Sequence, residues 1–117
     1  MSIPVDVADL GPQLAQFDRA YLLSTSDDRV KVVSVRVGEY GGTAALVVRA
    51  PGRGSLANVA ANPVVTLLFP PVEDPERSGT TPAAHPGFSL LVDGRAEVDG
   101  DDVRVTPTGA VLHKPAP

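Results

Sequence analysis

Arg49-Ala50-Pro51-Gly52-Arg53-Gly54-Ser55-Leu56-Ala57-Asn58-Val59-Ala60-Ala61-Asn62-Pro63-Val64-Val65-Thr66-Leu67-Leu68-Phe69 is the stretch that decides the architecture. Pro51-Gly52 stops a strand that runs over 43–49. Residues 55–61 read as a short helix with Leu56, Val59 and Ala60 inward. Asn62-Pro63 ends it, because the residue before a proline is pushed out of the helical region. Residues 64–69 are a nearly continuous apolar run and read as a buried strand. This is the only strand-to-strand connection that contains a helix. A doubly wound sheet needs such a helix in every crossover, so an antiparallel architecture is predicted instead.

Working outward, residues 7–18 place Leu10, Leu14 and Phe17 at helical spacing, with Pro12 tolerated in the first turn. Residues 20–26 read as a strand and Asp27-Asp28 as a turn. Residues 29–37 alternate for most of their length, with Val30, Val32 and either Val35 or Val37 sharing a face after a break at Val33-Ser34. Gly41-Gly42 closes a hairpin. Residues 70–87 hold five prolines and two glycines and read as a long, mobile surface loop. Residues 88–98 form a long strand bulged at Asp93-Gly94, and Asp99-Gly100 turns it into short strands at 102–106 and 109–114, joined at Pro107-Thr108-Gly109. Eighteen valines agree with a β protein. The expectation is a mainly β, six- to seven-stranded antiparallel split barrel with two short helices, in a single domain over 1–117.

Composition narrows the function. The 117 residues include no cysteine and only His85 and His113, which removes disulfides and thiolate chemistry and leaves little for a metal. The first residues lack the basic and apolar regions of a signal peptide, and no apolar run is long enough to span a bilayer, so a cytoplasmic protein is expected. The net charge of −4 argues against non-specific nucleic-acid binding. That charge is uneven. Residues 29–55 carry Arg29, Lys31, Arg36, Arg49 and Arg53 against Glu39 alone, a net +4, while the flanking segments are each −4. A basic middle suits an anionic small ligand, and equally suits solvated strand ends. Gly38-Glu39-Tyr40-Gly41-Gly42 is followed by a strand and not by the helix a phosphate cradle needs.

Arg49 to Ser55 leaves a strand and opens a helix. Free N–H groups at a helix start favour a phosphate. Gly52 and Gly54 permit close approach, Arg49 and Arg53 can pair with phosphate oxygens, and Ser55 can donate. An ordinary turn with Ser55 as N-cap accounts for the same residues equally well.

The order of elements resembles the pyridoxamine 5′-phosphate oxidase-like family, a group of flavin- and deazaflavin-binding split barrels. The resemblance spans roughly residues 12–114. It rests on Leu22-Leu23-Ser24-Thr25 with Val32-Val33-Ser34-Val35, on Arg49 to Ser55, on Asn58 to Pro63 leading into Val64-Val65-Thr66-Leu67, and on Val92-Asp93-Gly94-Arg95-Ala96-Glu97-Val98. It implies a homodimer binding FMN or the deazaflavin coenzyme, with haem in some relatives, and oxidoreductase activity of the reductase kind. The cofactor phosphate would lie against Arg49, Arg53, Ser55 and Asn58, and the ring against Val33, Ser34, Val35 and Arg36. His113 and Lys114 would reach a partner's cofactor. The family's Ser-Arg-Lys aligns with Arg53-Gly54-Ser55, so its usual Arg and Lys are missing, and Arg49 stands where Thr is common. The segment that full oxidases use for pyridoxal phosphate is not expected here. The competing reading is a dimeric barrel that binds a small ligand without redox chemistry or binds no cofactor.

Overall fold

The computed structural model describes residues 1–41 and 43–116. In chain order the elements are β1 (Ser2–Val5), a 3-10 turn (Val7–Asp9), α1 (Leu10–Leu14), β2 (Ala20–Ser26), β3 (Arg29–Glu39), β4 (Leu46–Arg49), α2 (Arg53–Ala61), β5 (Val64–Phe69), α3 (Pro75–Ser78), β6 (Ser89–Asp99) and β7 (Asp102–His113). The strands follow the order β1-β7-β4-β3-β2-β5-β6, all antiparallel, and β6 pairs again with β7. That last pairing closes six strands into a barrel, with β1 added along the outer half of β7.

Alternation sets the inside. Leu22, Leu67, Val92, Val103, Val105 and Val48 are fully buried and fill the barrel. At about 25 cal/mol per Å² of apolar surface, each such side chain contributes about 1.5–3 kcal/mol. The opposite face is unusually apolar. Across β3, β2, β5 and β6 the outward rows read Val32–Leu23–Thr66–Asp93 and Ser34–Tyr21–Leu68–Leu91. Val30 (63% exposed), Val32 (55%) and Val64 (55%) face solvent. The two polar members of the first row satisfy each other, Thr66 Oγ1 donating to Asp93 Oδ1 at 2.6 Å.

Several expectations are corrected. The helix over 7–18 is a 3-10 turn and the five residues of α1, because the chain turns inward at Leu10 and leaves the helix at Ala15. β3 has no break at Val33-Ser34: its register with β2 is continuous from Ser26↔Arg29 to Ala20↔Val35. Val33, Val35 and Val37 therefore point in, while Val30 and Val32 point out. β4 begins at Leu46, three residues later than expected, since Thr43 Oγ1 caps the turn by donating to the Tyr40 carbonyl. The Gly41-Gly42 hairpin falls partly on Gly42, outside the described residues. In α2 it is Ser55 and Val59 that are buried, and Ala60 is exposed. The two C-terminal strands are one: Pro107 sits opposite Gly94, at the register shift between Asp93 and Gly94, so its missing N–H breaks no regular ladder. Among the described residues three α-helices replace two. The 70–87 loop contains α3 and is tied to the α1 segment by Thr81 N–H to the Ala15 carbonyl (2.9 Å) and by Ser78 Oγ to Asp18 Oδ2 (2.8 Å).

Candidate functional site

α2 packs beneath one end of the barrel. Asn58 Nδ2 donates to the buried Ser24 Oγ (3.2 Å) and Asn62 Nδ2 to Thr25 Oγ1 (2.8 Å), which hold the helix under β2. Its approach from β4 is abrupt: Ala50 (φ +40°) and Gly52 (φ +99°) reverse the chain before Arg53. The first helical hydrogen bond runs from Leu56 N–H to the Gly52 carbonyl at 3.0 Å, and no side chain caps the helix among the described residues. Helix geometry thus leaves the N–H groups of Arg53, Gly54 and Ser55 without intrahelical partners.

Lys31 stands at this point. A Cβ built on Gly54 would come within 2.5 Å of Lys31 Nζ and 3.0 Å of its Cε, so the ammonium lies directly over the first turn of α2. Among the described residues no carboxylate is within ion-pair distance of Lys31 or Arg53. A positive group beside the positive end of a helix is repelled. An anion placed between them would be attracted by both. The groove beside this point, about 580 Å³, is lined by Ser26, Asp27, Arg29, Val30, Lys31 and Asn58.

The anticipated residues are distributed as follows. Arg53 is exposed at the helix start and Asn58 lines the groove. Ser55 is fully buried and its hydroxyl has no hydrogen-bond partner among the described residues, so it is not the N-cap; that position belongs to Gly52. Arg49 is engaged elsewhere: its Nη1 meets Asp102 Oδ2 at 3.3 Å, and Ala50 N–H occupies Asp102 Oδ1 at 2.9 Å. Ser34 and Arg36 lie on the outer barrel face, while Val33 and Val35 lie inside it, half-buried. Lys114 follows the far end of β7, its Nζ 5.9 Å from the Phe88 ring centre and its N–H bonded to the Met1 carbonyl. His113 Nδ1 is 3.1 Å from Ser2 Oγ there. The sequence marks Lys31 as one of the basic residues of 29–55. The signal available was its place on the inward row of β3, two residues before Val33.

No family model matches the chain. Uncharacterized protein Mb0449c of Mycobacterium bovis is 35% identical over 127 aligned positions, covering 96% of this chain and 82% of its own length. Protein MT0457 of Mycobacterium tuberculosis matches with the same identity and coverage. Among solved structures, the FAD binding protein of Mycobacterium smegmatis superposes with a TM-score of 0.59 at 16% identity, over 97% of this chain and 100% of that one. A Corynebacterium glutamicum protein named as a pyridoxamine 5′-phosphate oxidase gives 0.63 at 14% identity, over 98% and 100% of the two chains. A Listeria innocua protein of the same name gives 0.62 at 12%, over 93% and 98%. Identities this low establish the fold. Among the described residues no helix is long and apolar enough to cross a membrane. The chain belongs to the family of the mycobacterial proteins Mb0449c and MT0457, and its fold is the split β-barrel of the pyridoxamine 5′-phosphate oxidase-like proteins.

Proposed function

We propose that the chain is a homodimeric oxidoreductase of the reductase kind that binds a phosphate-bearing flavin-type cofactor, FMN or the deazaflavin coenzyme. The observation that carries the reading is the Lys31 ammonium over Gly54 at the uncapped start of α2. A phosphate there would accept from the helix N–H groups and pair with Lys31 and Arg53. The fold neighbours, one of them named as FAD-binding, support a flavin-type ligand. The cofactor would supply hydride transfer; the chain would hold the phosphate, seat the ring on the outer face of β3 at Ser34, and exclude water. The apolar rows over β3, β2, β5 and β6 support a second copy as the cover for that face.

The test is a fluorescence titration with FMN, the deazaflavin coenzyme and riboflavin. A charge-assisted contact is worth about 1.5–3 kcal/mol, so Lys31→Ala and Arg53→Ala should each weaken FMN binding about 10- to 100-fold. Riboflavin, which has no phosphate, should bind each variant as it binds the wild type. Arg49→Ala should leave FMN affinity near wild type, since Asp102 already holds that guanidinium. Unchanged FMN affinity in both Lys31→Ala and Arg53→Ala would remove the phosphate from α2 and sink the assignment.

A further inference from the structure

A cleft of about 370 Å³ opens at the other end of β2, between α1 and β3. β2 runs from Ala20, in the wall of this cleft, to Ser24 and Thr25, which α2 holds. The cleft floor is apolar: Phe17, Val35, Val37 and Phe69. Val35 and Val37 belong to the inward row of β3 yet are only half-buried, because α1 ends at Leu14 and roofs only part of the barrel mouth.

The rim is basic. Arg36 faces Arg49 directly across β3 and β4. Arg19, just before β2, lines the cleft together with Arg36. Arg36 and Arg49 are thus a cross-strand pair of like charges, and like charges directly opposite destabilise a sheet. Asp102 takes up Arg49 (3.3 Å) and Asp18 takes up Arg19 (3.6 Å). The other oxygen of Asp18 is occupied by the Ser78 hydroxyl. Arg36 has no carboxylate within ion-pair distance among the described residues.

We propose that this cleft binds a small organic acid with an apolar body, of the fatty or aryl carboxylate class. The body would lie among Phe17, Val35, Val37 and Phe69, and the carboxylate on Arg36 with Arg19 beside it. A guanidinium fork matches a carboxylate in two parallel hydrogen bonds. The volume is at the small end for ligand clefts, which suits a body of about eight carbons. The site is separate from the phosphate position at α2 and does not depend on the flavin reading.

The experiment is isothermal titration of the purified protein with octanoate, 1-octanol and acetate, with and without saturating FMN. Octanoate should bind, octanol about tenfold more weakly, and acetate without detectable heat. Arg36→Gln should lower octanoate affinity about tenfold and leave octanol unchanged. Arg95→Gln, an exposed arginine outside the cleft, should change neither. Val37→Phe should block both octanoate and octanol; if that variant fails to fold, Arg36→Gln alone decides. Absence of octanoate binding, or equal losses in Arg36→Gln and Arg95→Gln, would overturn the proposal. Displacement of octanoate by FMN would assign the cleft to the cofactor and overturn it as a second site.

Discussion

Gly54→Ala separates stability from binding in a single methyl group. Gly54 lies in the first turn of α2 at an ordinary helical φ, and alanine is the better helix former by about 0.5–1 kcal/mol at such a position. The new Cβ would meet Lys31 Nζ at 2.5 Å, Cε at 3.0 Å and Cδ at 3.5 Å. These atoms are the far end of a flexible side chain on exposed β3 backbone, so they can swing aside at little cost. The fold should therefore gain stability, with Tm rising by about 3–6 °C for a domain of this size. Lys31 would lose its place over the helix start. FMN affinity should fall about 10- to 100-fold, the worth of one charge-assisted contact, while riboflavin affinity stays constant. Calorimetry and cofactor fluorescence read the two effects on one sample. A falling Tm would show that Lys31 cannot move, and a raised Tm with unchanged FMN affinity would show that Lys31 takes no part in holding phosphate.

Gly94→Ala is the counterpart inside the barrel: its Cβ would lie 2.6 Å from Val105 Cγ1 and 2.8 Å from the Thr106 carbonyl oxygen, so a loss of about 1–3 kcal/mol or more should appear in urea melts. Asp28→Gly relaxes a residue at φ +62° in the two-residue turn between Ser26 and Arg29, and should raise Tm by a few degrees, about 0.5–1 kcal/mol. Leu67→Ala removes a fully buried side chain and should cost about 2–5 kcal/mol by the same melts. Val32→Glu places a charge at the β3 end of the outer apolar rows; sedimentation should find a dimer in the wild type and a monomer in the variant, and a monomeric wild type at micromolar concentration would refute the second copy.

Local pattern was enough for β2, β5 and the C-terminal end of α2. Ala20–Ser26 and Val64–Phe69 have the boundaries their sequence predicts, because a proline, a turn or a polar break stands at each end. The bulge at Asp93-Gly94 was legible for a similar reason: an Asp-Gly pair inside a valine-rich run has few other uses. What escaped depends on distant partners. Ser2–Val5 carries no strand pattern of its own and exists through its pairing with Ala110–His113. Pro107 looks like a strand end until Gly94 is placed opposite it. At the start of α2, the loop and its glycines were visible, and Lys31 was marked as one of the basic residues of 29–55. Arg49 has the right chemistry and points to Asp102; Lys31 lies 23 residues from Gly54 in sequence and meets it because α2 folds back under β2, the strand paired with β3. Arg36 was marked by charge, but its opposition to Arg49 needed the register.

β7 is hydrogen-bonded to β1, β4 and β6, and it joins residues as far apart as Ser2 and His113. Closure of the barrel is consequently the last event available to a nascent chain. Contacts spanning such a separation carry a large loop-closure entropy and slow the folding of β proteins to about the millisecond-to-second range. Until the 12 residues of β7 emerge, β1, β4 and β6 each present an unpaired edge, the geometry that recruits strands from other chains. Aggregation during synthesis should accordingly respond to translation speed just before Asp102 more than to substitutions on the barrel surface.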